Sequence, residues 1–269
     1  MDKHGVVGVV EAILLVALFA IILATIQITY VPSLMENKEA EHMHTVNNQF
    51  SYLKLAVDLL AVSKSNISIS VPLTLGSREI PYLVTARSIG DVSVVENGFR
   101  ISVKTSSGYG NFSFGIIKYT ANNVYYVRQS YILECGAVIL RQNGNYNSML
   151  SPPTFSTKLS GNTISMSMLA VNISGYAGRT SESGLDTTYI RINYSSASSY
   201  DFQDVENITI YTSNVDSWFK FLNYSMENCT ITKYDDKVVI EPEDGYQIDL
   251  HLDVIKVYAQ IGRGWIGNL

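Results

Sequence analysis

The chain has 269 residues, of which 46% are hydrophobic and 16% charged, with a net charge of −5. No run of Lys or Arg occurs, so the clustered positive charge that grips phosphates is missing and nucleic acid is excluded as a partner. Eighteen tyrosines stand beside an abundance of Ser, Thr and Asn, so neutral polar groups carry much of the surface.

The chain opens on a charged head, Met1 to Gly5, followed by an apolar run of 26 positions from Val6 to Val31. At about 1.5 Å per residue this run extends about 39 Å, beyond the ~30 Å of a bilayer's hydrocarbon core. It is longer than the apolar core of a cleaved secretory signal and lacks a small-residue cleavage site behind it, so it stays with the protein. Lys3 precedes the run, while Glu36, Glu39 and Glu41 follow it with Lys38 as counterweight, which places the N-terminus in the cytoplasm and the body outside. One acid, Glu11, lies within the run, where a carboxylate costs ~2.5–3.5 kcal/mol at the bilayer centre. Either it sits near the inner face and reaches water, or it pairs with a free N-terminal amine on a neighbouring chain. Gly8, Ala12, Ala17, Ala20 and Ala24 would let such helices approach closely, although these residues are also ordinary in membrane spans.

Pro32 lacks an N–H and clashes with the carbonyl of Ile28, which predicts a kink or a locally melted turn around Ile28–Pro32. Beyond it Ala40, Met43, Val46, Phe50, Leu53, Val57 and Leu60 recur every three or four positions, with Glu39, Glu41, Asn47, Lys54 and Asp58 around them. That is an amphipathic helical stripe needing a partner on one side. One long helix is therefore expected over residues 6–63. A body of about 205 residues follows, enough for a sizeable core.

From Asn66 the period changes to two: Ile67, Ile69, Val71, Leu73 and Leu75 alternate with polar residues. Val92–Glu96, Asn97-Gly98 and Phe99–Lys104 read as a hairpin with an Asn-Gly turn. Further strands are expected at 112–120, 124–130, 138–142, 163–173, 188–194, 208–212, 230–234, 238–241 and 247–260, with Asp235-Asp236 turning a second hairpin. A short helix is expected at 216–224 behind Ser213 and Asn214 as caps. Ser151-Pro152-Pro153 interrupts the pattern and is a candidate division between sub-sheets. The predicted class is α+β: a long apolar helix, kinked near Pro32, then an all-β, sandwich-like body over 64–269.

Cys135 and Cys229 lie 94 positions apart, either bridged in an oxidising compartment or two separate buried thiols. Seven Asn-x-Ser/Thr sequons occur, at Asn66, Asn111, Asn172, Asn193, Asn207, Asn223 and Asn228. All follow the apolar run, which suggests a glycosylated exterior. His42 and His44 stand about 200° apart on a helix; His42 with Glu39, or His44 with Glu41, could hold a metal, but a solvated helix face is the better reading. Asp235, Asp236, Glu241, Glu243 and Asp244 lack calcium-loop spacing and read as turn acids. No His-Glu-x-x-His, nucleophile-elbow, phosphate-loop or Cys-x-x-Cys pattern is present, so no catalytic, metal or cofactor site is assigned.

Lys3-His4-Gly5 before Val6, Glu11 inside the apolar run, and Pro32 ahead of an amphipathic continuation together resemble the type IV pilin and archaellin superfamily, in particular archaeal pilin-like proteins. The stretch from Gly136 to Gln142 and on to Met149-Leu-Ser-Pro-Pro is similar to such proteins as well. The resemblance implies a leader, residues 1–5, cut between Gly5 and Val6 by a membrane peptidase. It implies helices that leave the bilayer to bundle in a filament core with the help of an assembly machine, and a role for Glu11 in pairing with a neighbour's new N-terminus. The reading that results is a structural subunit of an extracellular, archaeal pilus-like filament, with a glycosylated outer domain for adhesion or shielding. Its partners are copies of itself, the membrane before assembly, and the assembly and leader-cutting proteins. The alternative is a single-pass anchored surface glycoprotein, adhesin or minor pilin that does not form the filament body.

Overall fold

The computed structural model describes residues 3–77, 88–143 and 146–264, with the backbone alone at 3–7. A single helical rod begins the chain: α1 (Lys3–Thr25), a wider π-helical turn (Ile26–Tyr30), and α2 (Val31–Ser63). Pro32 accounts for the change of pitch. With the amide of Pro32 missing and its ring crowding the turn before, the backbone takes an extra residue per turn, and the Val31 N–H reaches back five positions to the Ile26 carbonyl. The expected interruption is thus present, as a π turn and not a melted one. Lys64 ends the rod in a left-handed conformation, φ 48°, with its N–H on the Leu60 carbonyl.

The body is β1 (Ser68–Thr74), β2 (Ile89–Thr105), β3 (Gly108–Asn122), β4 (Gln129–Glu134), β5 (Ala137–Gln142), β6 (Tyr146–Ser151), β7 (Thr154–Ser160), β8 (Thr163–Gly175), β9 (Ser181–Gly184), β10 (Thr187–Tyr211), α3 (Val215–Ser225), β11 (Cys229–Lys233), β12 (Lys237–Pro242) and β13 (Gln247–Ile261). One hydrogen-bonded sheet runs in the order β6-β5-β4-β3-β2-β10-β13-β8-β7, with β1, β9, β11 and β12 attached beside it. β8 and β13 pair in parallel over residues 163–175, and the other pairs are antiparallel.

The strands of the body thus belong to one continuous hydrogen-bonded sheet. β2, β10 and β13 are 17, 25 and 15 residues long, and each runs through both cores of the molecule. Near one end their residues Val92, Ile192 and Val257 join the face of α2; near the other Ile101, Ile208 and Leu250 join Trp218 of α3. The sheet also curls back on itself. Gly115 of β3 donates its N–H to Asn172 Oδ1 of β8 at 3.0 Å, and a Cβ on Gly115 would lie 1.9 Å from the Ile173 carbonyl. Only glycine lets the two strands meet there. Pro152 and Pro153 fall between the strands of one half of the order, β2–β6, and those of the other, β7, β8, β10 and β13, within one continuous sheet. They join β6 to β7, the two ends of the strand order, where a residue without an N–H cannot extend the sheet.

Three readings need correction. Asn97-Gly98 is not a hairpin turn but a bulge inside β2, where residues 96–98 face Gly115 alone and Asn97 takes φ 54°. Residues 124–128 are not strand, and β4 begins at Gln129. The segments 188–194 and 208–212 are the two ends of β10, continuous through a Ser-rich middle that shifts register at Tyr194/Ser196 and Phe202/Val205. The helix at 216–224, the hairpin around Asp235-Asp236 and the strands at 138–142, 163–173 and 247–260 are found within a few residues of expectation.

Candidate assembly helix and the acids that seat it

The rod changes character at Val31. Before it, the described side chains from Gly8 to Tyr30 are all exposed, among them Val9, Ile13, Leu14, Phe19 and Leu23. From Val31 onward one face is buried, through Met35, Met43, Val46, Phe50, Leu53, Val57 and Leu60. Ala40, on the same stripe, is half-buried. The free part is about 35 Å long at 1.5 Å per residue, close to the hydrocarbon thickness of a bilayer. Among the described residues, one helix, Gly8–Ser63, is long and apolar enough to cross a membrane. Glu11 is exposed on that free part and has no hydrogen bond or ion pair within the described residues. The predicted leader cut at Gly5 and Val6 falls on the helical backbone of α1, and their side chains lie outside the described residues.

The outer face of α2 is also apolar. Tyr52, Leu55, Leu59 and Val62 are exposed at spacings of three, four and three. A surface helix normally shows polar residues there.

Glu39 seats α2 on the body. It is completely buried, and its carboxylate accepts three backbone N–H groups from the loop between β3 and β4: Val124 at 3.0 Å, Tyr125 at 2.8 Å and Tyr126 at 2.7 Å. Three charge-assisted bonds satisfy donors that a loop lacking strand partners would leave bare. One turn on, His42 Nε2 lies 3.0 Å from the Tyr119 hydroxyl, which donates to the Leu75 carbonyl at 2.6 Å, so the imidazole N–H is the donor to tyrosine. Burial lowers the His42 pKa below its usual value, against the opposing pull of the Leu75 carbonyl and of Glu39. Burial likewise raises the Tyr119 hydroxyl above its usual range and pushes Tyr131 up to about 12. Phe50 packs on both rings, its centroid 6.3 Å from Tyr119 and 5.4 Å from Tyr131. Glu39 and His42 are therefore internal groups and not a solvated face. No cluster of three or more His, Cys, Asp or Glu able to hold a metal occurs among the described residues.

A second buried acid fixes α3. Glu134, at the end of β4, accepts the Trp218 indole N–H at 2.7 Å, the Thr212 hydroxyl at 2.9 Å and the Asn214 amide at 2.9 Å. Burial raises its pKa despite those donors. Asn214 holds the cap position of α3 as expected, but makes no cap bond there because its side chain is committed to Glu134.

Cys135 and Cys229 are free thiols, which corrects the bridged reading. Burial raises the Cys135 pKa strongly and pushes Cys229 up to about 11, which favours the thiol over the thiolate at neutral pH. Of the sequon asparagines, Asn66, Asn111 and Asn223 are exposed and Asn172, Asn207 and Asn228 half-buried. Asn193 is 2% exposed and cannot accept a glycan in the folded body.

Neither Glu39 nor Glu134 is legible as a structural acid in the sequence. Glu39 sits among the polar residues flanking the stripe, and its loop partners are 85 to 87 positions away. The signal that could have found it is periodicity: Met35, Glu39 and Met43 share one helical face. Comparison of the chain with protein-family models, curated proteins and solved structures found no match.

Proposed function

We propose that this chain is a structural subunit of an extracellular filament of the type IV pilus kind. It is held in the membrane by its N-terminal helix before assembly and polymerises through that helix afterwards. The observation that carries the reading is the bare apolar rod from Gly8 to Tyr30, continued by the outward stripe Tyr52, Leu55, Leu59 and Val62. Burying ten such side chains is worth on the order of 15–30 kcal/mol, so the rod requires lipid or other copies of itself around it. A head-to-tail contact that does not close gives a helical filament. The β body then faces outward, and the exposed sequons at Asn66, Asn111 and Asn223 are its glycan acceptors. Archaeal origin, removal of residues 1–5 by a leader peptidase and pairing of Glu11 with a neighbour's amine belong to the same proposal and rest on the resemblance of the N-terminal segment.

Glu11→Gln separates insertion from assembly. The variant is expected to fractionate with membranes as wild type does while surface fibres are lost. Undiminished fibre yield would remove Glu11 from the assembly contact. A chain found as a membrane monomer with no fibres, in wild type as well, would favour the anchored surface glycoprotein.

A further inference from the structure

We propose that the body carries a saccharide-binding cleft where α2 hands over to the sheet, independent of whether the chain polymerises. The cleft, of roughly 470 Å³, is lined by Lys64, Asn66, Tyr176, Asn193, Tyr194 and Tyr258. Four stretches of chain that are distant in sequence converge there: the left-handed cap of α2, the turn end of β8, the β10 strand and the β13 strand, with Asn193 directly opposite Tyr258 in the pairing register.

Three features point to a sugar. First, three half-buried tyrosines border one open cleft, and the Tyr176 and Tyr258 rings meet at 5.6 Å with a 53° tilt. Aromatic faces offer the flat apolar surface on which the C–H face of a pyranose lies, while the hydroxyls remain available as donors and acceptors. The Lys256 ammonium lies 5.2 Å from the Tyr258 centroid, a cation–π contact with that ring. Second, Asn193 is 2% exposed, yet its Oδ1 has no hydrogen-bond partner. An orphan acceptor at that depth is costly unless a ligand donates to it, and a sugar hydroxyl is such a donor. Third, Lys64 at the rim brings an exposed cation, which suits a sugar bearing a carboxylate. Aromatic faces beside a few converging polar groups, here Lys64, Asn66, Asn193 and Ser195, are a form that small-ligand sites take.

The same chemistry has two sources. One is a saccharide from outside. The other is the chain's own glycan on Asn66, an exposed sequon residue that forms the rim of the cleft.

The test uses the full chain in a sugar-free detergent, with ¹³C-labelled tyrosine rings read by NMR. For the outside source the probes are trisaccharides of α- and β-linked glucose, of mannose and of galacturonic acid, added to unglycosylated protein. The expected result is a saturable shift at Tyr176, Tyr194 and Tyr258, with Tyr146 and Tyr224 on the open surface unmoved. Tyr258→Ala is expected to weaken binding about tenfold, and Tyr258→Phe, which keeps the ring, to bind as wild type does. For the internal source, chain from a glycosylating host is treated with an exoglycosidase. The Asn66 glycan is expected to be trimmed more slowly than that on exposed Asn223, and at the Asn223 rate in Tyr258→Ala. Either pattern supports the cleft and names its source. No saturable shift with any probe together with equal trimming at Asn66 and Asn223, or binding that survives Tyr258→Ala in a folded protein, overturns it.

Discussion

Glu39 and Glu134 are both buried acids that gather three donors each, Glu39 from backbone N–H groups of a loop and Glu134 from the side chains of Trp218, Thr212 and Asn214. Glu39 gathers three donors from residues 124–126, so replacing it removes an anchor shared by α2 and that loop. Glu39→Gln keeps the shape but turns one acceptor into a donor facing an N–H. The expected loss is about 3 kcal/mol, read as a lower urea midpoint of the body in detergent. Glu134 gives a pH-dependent counterpart. Its folded pKa is raised above the unfolded value of 4.5, so the folded state binds the extra proton. Its contribution to stability is complete below pH 4.5 and is lost as pH rises through the folded pKa. Glu134→Gln does not titrate, and a flipped Asn214 amide could accept from its new NH₂ through the Oδ1 that now lacks a partner. The expectation is that the variant gains stability relative to wild type as pH rises from 5 to 8, measured by urea melts at several pH values. A constant difference across that range would contradict it. At this scale the sequence is least legible. An acid among polar neighbours on a helix reads as solvated, and only contacts made 85 or more residues away reveal otherwise.

At the scale of elements, the helical rod is the best-determined part of the chain, because twenty-odd apolar residues followed by a three-four stripe admit no other reading. Pro32 set the place of the disturbance, and the backbone supplied its form, a π turn bounded by Ile26 and Tyr30. That turn separates the bare half of the rod from the docked half, so it is also where the two halves can adjust to lipid or to neighbours. The stripe Tyr52, Leu55, Leu59 and Val62 is predicted to be an assembly surface. Leu55→Lys and Leu59→Lys are each expected to leave body stability within about 0.5 kcal/mol, since neither side chain is packed, while surface fibres disappear. Equal fibre yield by electron microscopy would show that the stripe has no partner. Local rules failed where tertiary demands were stronger. Asn97-Gly98 is a strong hairpin signal, yet β2 spends it on a bulge that brings Val95 and Phe99 to either side of Gly115. The loop at 124–128 has strand-forming residues, but the amides of Val124, Tyr125 and Tyr126 are claimed by Glu39.

At the scale of the whole molecule, the long strands β2, β10 and β13 couple two cores, one closed by α2 and the other by α3. The two cores are therefore joined by continuous strands and not by a hinge between domains. The α+β class and most strand positions followed from period and turn residues. The single curled sheet did not, because pairings such as β8 with β13 in parallel join segments more than 80 residues apart and leave no local mark.

The central claim is that the bare rod exchanges lipid for copies of itself. Mass spectrometry of the N-terminal peptide from sheared surface fibres tests it most directly. The account predicts that the fibres contain this chain with the rod intact and a first residue of Val6. Fibres lacking the chain, with the protein recovered as a detergent-extracted monomer or as a soluble body without residues 6–30, would contradict it.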